Sequence, residues 1–274
     1  GLYSNENGTI TSQSGYFTFK ANGNLSLGAN VSANQIVIQG INSNNSIAIG
    51  STDGTEDLRV SSGSFDKFLA NEVIVGERAF PGFNGNLTVA GAVTTNSDLS
   101  LYAGNIAINA ALNVGNRALI VQTGENTGNQ FVPILGEIGG TITSNDSGVI
   151  NSGNLLLRTI DGNINLTAAN NISGTVTANT NNGSLTLVNN ANTTLGNGAN
   201  WNFEVLGGVN VTVTGENNTL IQSSAITVAN GLSVTTANGA VNLTDGNNSI
   251  SGALSANIGT AALTVTNNGA LSLG

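Results

Sequence analysis

A short unit of one glycine, one small residue and two aliphatic residues separated by another small residue recurs along this chain. In its complete form, at 239–248, a glycine opens the unit, an alternating stretch follows, and a Gly/Asn-rich turn closes it. Such alternation is typical of a β-strand with one buried and one solvated face. Other copies are Gly23-Asn24-Leu25-Ser26-Leu27, Gly85-Asn86-Leu87-Thr88-Val89, Gly104-Asn105-Ile106-Ala107-Ile108, Gly162-Asn163-Ile164-Asn165-Leu166, Gly183-Ser184-Leu185-Thr186-Leu187 and Gly269-Ala270-Leu271-Ser272-Leu273.

The spacing of the aliphatic residues indicates how these strands are connected. Near the N-terminus, Leu25, Ile36, Ile47 and Leu58 follow one another at intervals of eleven residues. We therefore predict a repeat of about 21 residues that holds two or more short strands separated by turns. Four later pairs are 21 or 22 residues apart, namely Ile164 and Leu185, Leu220 and Val241, Val241 and Leu263, and Leu232 and Leu254.

A repeat of this length fits one coil of a parallel β-helix, in which each short strand pairs with the equivalent strand of the next coil. A sandwich would need two-residue hairpin turns between longer strands, and a propeller needs about 40 residues per blade. The sequence thus predicts an all-β parallel β-helix, a solenoid of about 21 residues per coil, as a single shaft over 1–274. With strands ~4.8 Å apart, roughly 13 coils would form a rod about 60 Å long.

Two stretches interrupt this rhythm, at 63–84 and 121–148, and are predicted to be loop excursions from the shaft. The first stretch holds half of the eight phenylalanines, and we take these as candidate partner-binding residues. The alternative interpretation is that Phe65 and Phe68 fill the interior of a wider coil. The four candidate residues are Phe65, Phe68, Phe80 and Phe83.

The charge balance and the missing residue types narrow the possible functions. Six Lys and Arg against fifteen Asp and Glu give a net charge of -9 without a basic cluster, which disfavours nucleic-acid binding. Because the chain has no His, Cys or Met, disulfides, thiolate zinc sites and imidazole chemistry are excluded, and we expect no cofactor. No apolar run reaches the about 18 residues of a membrane helix, so we expect no membrane insertion. The first residues carry neither an initiator Met nor a signal pattern, which indicates a piece of a longer or processed protein.

The repeated Gly-Asn-Leu-Ser-Leu type strands and the Cys-free, Asn/Gly/Thr-rich composition resemble the filamentous haemagglutinin family. These are secreted exoproteins of Gram-negative two-partner secretion systems, and they include adhesins and contact-dependent toxins. Residues 153–166, with the sequence GNLLLRTIDGNINL, carry the same pattern. Single-chain autotransporter passengers share these features. The Asn-Pro-Asn motifs of the family's export domain are absent, so the chain resembles the shaft of such a protein.

The resemblance implies a right-handed parallel β-helix that is secreted or exposed at the cell surface. The implied roles are adhesion, biofilm formation or presentation of a distal domain. The implied partner is a glycan or a protein on the surface of a host or bacterial cell.

Two other classes of function stay open. Unpaired strand edges on the first and last coils would allow end-to-end assembly into an extracellular filament. A polysaccharide-active enzyme is the minor alternative, but the chain lacks His and most of its acidic residues are isolated, so we predict no enzyme activity. The acidic group at 53–57 is interpreted as a solvated turn rather than a Ca²⁺ site, and Trp201 as a packed side chain rather than a sugar platform.

Overall fold

The computed structural model describes residues 9–12, 15–76, 85–124, 139–198 and 201–274. Strand accounts for 52% of the structure and helix for 2%, so the protein is almost entirely β. The strands form three sheets, and the strands of each sheet pair in parallel with their neighbours throughout the described residues. The predicted all-β class with parallel pairing is confirmed.

Strands are numbered in chain order. Sheet 3 consists of β1 (Ile10–Thr11), β4 (Val31–Ser32) and β8 (Phe68–Leu69), and a short helix, α1 (Ser62–Phe65), precedes β8. Sheet 1 consists, within the described ranges, of β2 (Tyr16–Lys20), β5 (Gln35–Gln39), β9 (Glu72–Val75), β12 (Asp98–Ala103), β15 (Leu119–Thr123), β18 (Leu155–Thr159), β20 (Thr175–Thr180), β22 (Thr193–Leu195), β23 (Phe203–Val205), β25 (Leu220–Gln222), β26 (Ile226–Val228), β28 (Val241–Leu243), β29 (Ser249–Ile250) and β31 (Leu263–Val265).

Sheet 2 has a main path and a short branch formed by three of its strands. The branch runs β11-β14-β17 and joins the main path at β19. The strands of this sheet are β3 (Gly23–Leu25), β6 (Ile47–Gly50), β7 (Leu58–Ser61), β10 (Asn86–Val89), β11 (Val93–Thr94), β13 (Asn105–Ile108), β14 (Leu112–Asn113), β16 (Ile142–Ser144), β17 (Ile150–Ser152), β19 (Ile164–Ile172), β21 (Leu185–Asn189), β24 (Val209–Val213), β27 (Leu232–Thr236), β30 (Ala253–Asn257) and β32 (Ser272–Leu273).

The strand register follows the predicted spacing. Along most of the chain each repeat supplies strands to both sheet 1 and sheet 2, and many repeats supply two strands to one of them, as β13 and β14 do to sheet 2. Parallel neighbours need a long connection between them, and here that connection passes through the other sheet. The four predicted pairs are all aligned partners: Ile164 with Leu185, Leu220 with Val241, Val241 with Leu263, and Leu232 with Leu254.

The eleven-residue spacing near the N-terminus has two different causes. Ile47 lies opposite Leu58 in the neighbouring strands β6 and β7. Leu25, by contrast, lies opposite Val60 in sheet 2, whereas Ile36 belongs to sheet 1. The interval between Leu25 and Ile36 is therefore half a repeat, and the interval between Ile47 and Leu58 joins direct neighbours.

Sheet 2 departs from chain order at this place, where the strand order is β3-β7-β6-β10. The chain runs forward into β6, returns through residues 51–57, and enters β7 between β3 and β6. Helix α1 follows β7 and leads into β8 of sheet 3. The repeat that contains β6 and β7 is therefore longer than most others, because it supplies two consecutive strands to the main path of sheet 2 and these stack in reversed order.

The interior is one cluster of buried apolar side chains contributed by all three sheets. Strand β24 shows the pattern, because Val209, Val211 and Val213 are buried while the residues between them are exposed or half-buried. Full burial of a Val, Leu or Ile side chain is worth about 1.5–3 kcal/mol. The predicted inward placement of the aliphatic residues is confirmed.

In several units, among them those that begin at Gly162 and Gly183, the opening glycine is needed for a close approach of neighbouring backbones. An added Cβ at Gly183 would overlap the carbonyl oxygen of Gly162, and one at Gly162 would overlap that of Gly140. We call these three residues the glycine column. Neither Gly162 nor Gly183 has a positive φ. Packing against the preceding repeat, and not a positive φ, therefore sets the requirement for glycine at these two positions.

Buried threonines close the corner where sheet 1 leads into sheet 2. The hydroxyl of Thr159 donates to the carbonyl oxygen of Gly162, three residues on, at 2.6 Å. Thr123 makes the equivalent bond to Gly140 at 2.8 Å, although the two residues are 17 positions apart. The long connection between β15 and β16 thus starts and ends at the same corner as the short turns.

The predicted excursions at 63–84 and 121–148 each include strands of the sheets. The first includes β8 and β9, and the second includes the end of β15 and all of β16. Each of these strands has a parallel partner. Residues 77–84 and 125–138 lie outside the described ranges, so the excursions themselves stay predictions.

Candidate functional site

Two of the four candidate phenylalanines are core residues, and the other two, Phe80 and Phe83, lie outside the described ranges. Phe65 is 1% and Phe68 is 4% exposed. Their rings meet edge to face with centroids 5.5 Å apart, and Phe68 lies 6.1 Å from the ring of Phe19. These contacts agree with the interpretation that both rings fill a wider repeat. Partner binding by the segment stays a prediction, and it cannot use the full faces of these two rings.

The single turn of α1 sets the position of the buried rings. The buried hydroxyl of Ser64 donates to the carbonyl oxygen of Leu25 at 3.2 Å and accepts from the N–H of Leu27 at 3.2 Å. The hydroxyl of Ser61 lies 2.8 Å from that of Ser64. These bonds tie α1 to the chain that follows β3, so that Phe65 packs into the interior.

A cavity of about 360 Å³ lies beside the two rings. It opens where sheet 3 ends, at β8, and where the branch of sheet 2 begins, at β11. Phe65 and Phe68 contribute to its lining from the core, and Leu69, which is 48% exposed, lies at the rim. Sequence reasoning missed this cavity because two-residue strands carry no periodic signal that shows whether they pair.

The acidic turn at 53–57 lies in the link between β6 and β7 and is held by bonds to residues on either side of that link. A carboxylate oxygen of Asp57 accepts from the N–H of Ser46 at 2.8 Å and from its hydroxyl at 3.0 Å, and these bonds lower the pKa of Asp57. Arg59 donates to the carbonyl oxygen of Glu56 at 2.9 Å. Within the described ranges, no three His, Cys, Asp or Glu residues are grouped so that they could hold a metal ion.

Trp201 packs against a buried cation. The guanidinium carbon of Arg158 lies 5.0 Å from the centroid of the indole, within the range of a cation–π interaction. Arg158 is 7% exposed, and its burial lowers the pKa of the guanidinium to about 10, an effect that Tyr102 partly opposes. One face of the indole is therefore occupied by Arg158 and is not open to a sugar ring.

A polar row on sheet 1 is hydrogen-bonded across neighbouring strands. The amide of Gln35 donates to one carboxylate oxygen of Glu72 at 2.7 Å, and the hydroxyl of Ser100 donates to the other at 2.6 Å. Asp98, which lies opposite Glu72, accepts from the N–H of Ala118 at 3.0 Å. Both carboxylates thus have donors within the protein, which is typical of a structural row.

The outer face of sheet 2 carries small neutral side chains in register. Thr186, Asn210, Ser233 and Ser255 occupy equivalent positions on β21, β24, β27 and β30. All four are half-buried or exposed. Hydroxyl and amide groups at equivalent positions of neighbouring strands present a regular, uncharged hydrogen-bonding surface.

In the part of the chain that the structure describes, no helix has the length and apolar character needed to cross a membrane. Comparison with known proteins finds no family model, no curated protein and no solved structure that matches the chain.

Proposed function

We propose that this chain is the right-handed, β-helical shaft of a secreted bacterial exoprotein. The observation that carries the proposal is the parallel pairing of equivalent strands, with register steps such as the 21 residues from Ile164 to Leu185, around one continuous apolar core. Crossovers between parallel strands of one sheet are right-handed in nearly all proteins, which supports the handedness. The sheets would then be the faces of one solenoid.

The mechanism of such a shaft is mechanical. Backbone hydrogen bonds between repeats run along the long axis, and stability accumulates by stacking each repeat on its neighbours. A rod built in this way holds a distal binding or toxic domain at a fixed distance from the cell. The absence of Cys is compatible with export, since no thiol needs protection or pairing.

The partner we propose is a glycan or protein on a host or bacterial cell surface. The neutral rows of sheet 2 favour recognition by hydrogen bonds to hydroxyl groups over recognition of a charged polymer. We propose no enzyme activity, because the chain has no His and the carboxylates of Glu72 and Asp98 are already held by protein donors.

Electron microscopy of the purified chain tests the shaft. We expect uniform rods whose length corresponds to about 4.8 Å per repeat. Globular particles would contradict the proposal. Glycan-array and cell-binding measurements on the same rods then test the partner, and an absence of binding to every glycan and cell type would leave adhesion unsupported while the shaft stands.

A filament subunit is the second candidate, and one observation favours it. The last strands of the two main sheets, β31 and β32, expose apolar side chains, with Leu263 40% and Leu273 77% exposed. Another copy stacked on these strands, or a further repeat of the same shaft, would cover both. Fibres that grow with protein concentration, and that disappear in Leu263→Asp but persist in the control Leu206→Asp, would establish this function. Leu206 is a suitable control because it is 37% exposed and lies away from the last strands.

A further inference from the structure

Sheet 3 ends at β8 and the branch of sheet 2 begins at β11, so the stacking of parallel strands is interrupted between these two strands. Strand β8 pairs with β4 on one side, and β11 pairs with β14 on the other. Between the described residues of β8 and β11 themselves there is no strand pairing, and the two strands belong to different sheets. Each strand therefore has one edge that faces the interruption.

The bonds already made show which peptide groups face the gap. On β4, the N–H groups of Val31 and Ala33 donate to the carbonyl oxygens of Lys67 and Leu69, at 2.8 and 3.2 Å. Alternate residues of a strand direct their peptide groups to opposite sides, so the peptide group of Phe68 points away from β4.

The same reasoning applies to β11. The N–H groups of Val93 and Thr95 donate to β14 and its flank, at 2.9 and 3.0 Å. The peptide group of Thr94 therefore faces the interruption. At one end the gap is closed, because the hydroxyl of Ser97 donates to the carbonyl oxygen of Ala70 at 2.7 Å.

The cavity of about 360 Å³ occupies this gap. Its volume is many times the roughly 10–15 Å³ that a single water molecule needs, so the gap has room for a ligand larger than water. Phe65 and Phe68 line it from the core side, and Asp66 is the one charged residue among those that line it. Two strand edges, the half-exposed side chain of Leu69 and a single carboxylate thus meet in one place.

We propose that this gap binds an extended peptide segment of a partner protein by strand addition. The peptide backbone bonds to the edges at Phe68 and Thr94, an aliphatic side chain of the peptide packs against the exposed Leu69, and a Lys or Arg of the peptide pairs with Asp66. Strand addition of this kind takes affinity from main-chain bonds and specificity from alternate side chains. The proposal does not depend on the shaft function, because it concerns only the gap between β8 and β11.

A fluorescein-labelled pentapeptide, Gly-Val-Lys-Val-Gly, is the probe. We expect saturable binding by fluorescence anisotropy and slower hydrogen exchange at the amide of Thr94 in the complex. N-methylation of both Val residues of the peptide removes the N–H groups that would donate to the strand edges. Binding of the methylated peptide should therefore weaken several-fold or more. This comparison leaves the protein unchanged and is independent of any folding defect.

Asp66→Asn tests the charged contact, and Asp146→Asn is the matched control because both carboxylates are exposed. We expect Asp66→Asn to weaken peptide binding several-fold and Asp146→Asn to leave it unchanged. The proposal is overturned by an absence of saturable binding up to about 1 mM peptide, by equal binding of the methylated peptide, or by equal effects of the two variants. Self-association that the peptide disrupts would assign the gap to a second copy of this chain and would overturn it too.

Discussion

Gly183 and Asn189 illustrate how single residues of this chain are chosen by the neighbouring repeat rather than by their own strand. The glycine lies against the carbonyl oxygen of Gly162, and the asparagine side chain bonds to the backbone of Ile172. The sequence predicted a turn at the glycine, because Gly/Asn clusters mark turns in any context. It did not predict the backbone contact that requires the glycine, since that contact depends on the repeat stacked beside it.

Gly183→Ala should destabilise the protein by about 1–3 kcal/mol, because the added Cβ would overlap a carbonyl oxygen that cannot move without shifting the adjacent repeat. The free energy of unfolding from urea titration measures the effect. Gly246→Ala is the control, since an added Cβ there meets nothing within 4 Å. Equal stability of the two variants would show that the glycine column is not sterically required.

Asn189→Ala should also destabilise the protein, by about 1–3 kcal/mol. The side-chain oxygen of Asn189 accepts from the N–H of Ile172 at 2.8 Å, and its amide donates to the hydroxyl of Thr193 at 3.0 Å, both away from solvent. Removing the amide leaves the N–H of Ile172 buried without that acceptor. Asn190→Ala, at the exposed neighbour, should change the unfolding free energy by less than about 0.5 kcal/mol. A loss at Asn190 as large as that at Asn189 would refute the assignment.

At the scale of elements, the reversed order of β6 and β7 is the main feature that periodicity alone could not reveal. The eleven-residue spacing of Ile47 and Leu58 correctly indicated two strands in contact. Spacing gives the distance along the chain between equivalent positions, but it gives no information on which strand stacks first. For the same reason, the pairing of strands as short as β8 and β11 could not be predicted from the sequence, and neither could the cavity between them.

The bond pair between Asp57 and Ser46 should make the β6–β7 link sensitive to acid. The pKa of Asp57 is lowered in the folded protein, so the contribution of its carboxylate is fully present above the unfolded value of about 3.9 and is lost as pH falls through the lower, folded value. We expect Asp57→Asn to be less stable than the parent at pH 6, with a difference that shrinks as the pH falls below about 4.

Urea unfolding at several pH values, with Asp146→Asn as the exposed control, measures this difference. A difference in unfolding free energy between the parent and Asp57→Asn that stays constant from pH 6 to strongly acidic conditions would contradict the role of the carboxylate. So would an equal pH dependence in the Asp146→Asn control.

For the whole molecule, the long parallel sheets and the single core follow from the regular spacing of aliphatic residues in the sequence. Because many repeats show the same spacing, a wrong assignment of one strand does not change the predicted fold class. Candidate partner-binding residues are harder to predict, because an aromatic residue such as Phe68 carries the same sequence signal whether it lies in the core or on a surface. Only the three-dimensional arrangement separates the two.

Leu243→Asp should disrupt the stack well beyond its own strand. The side chain of Leu243 is fully buried, and placing a carboxylate there costs on the order of several kcal/mol. Because each repeat is stabilised by its neighbours, we expect a lower melting temperature and faster hydrogen exchange in β25 and β31, which flank β28. Asn242→Asp, at the exposed neighbour, is the control. Unchanged melting of Leu243→Asp would contradict the inward assignment.

The bond from Thr123 to Gly140 makes the corner between β15 and β16 a place where the chain tolerates insertions. The same closure that spans three positions at Thr159 here spans 17, yet the strands on both sides keep their partners. Polypeptide of very different length can therefore be accommodated at this corner without re-registering the sheets. In evolution, insertions and deletions should accumulate there, and in engineering a foreign epitope grafted between Thr123 and Gly140 should be displayed without loss of the scaffold.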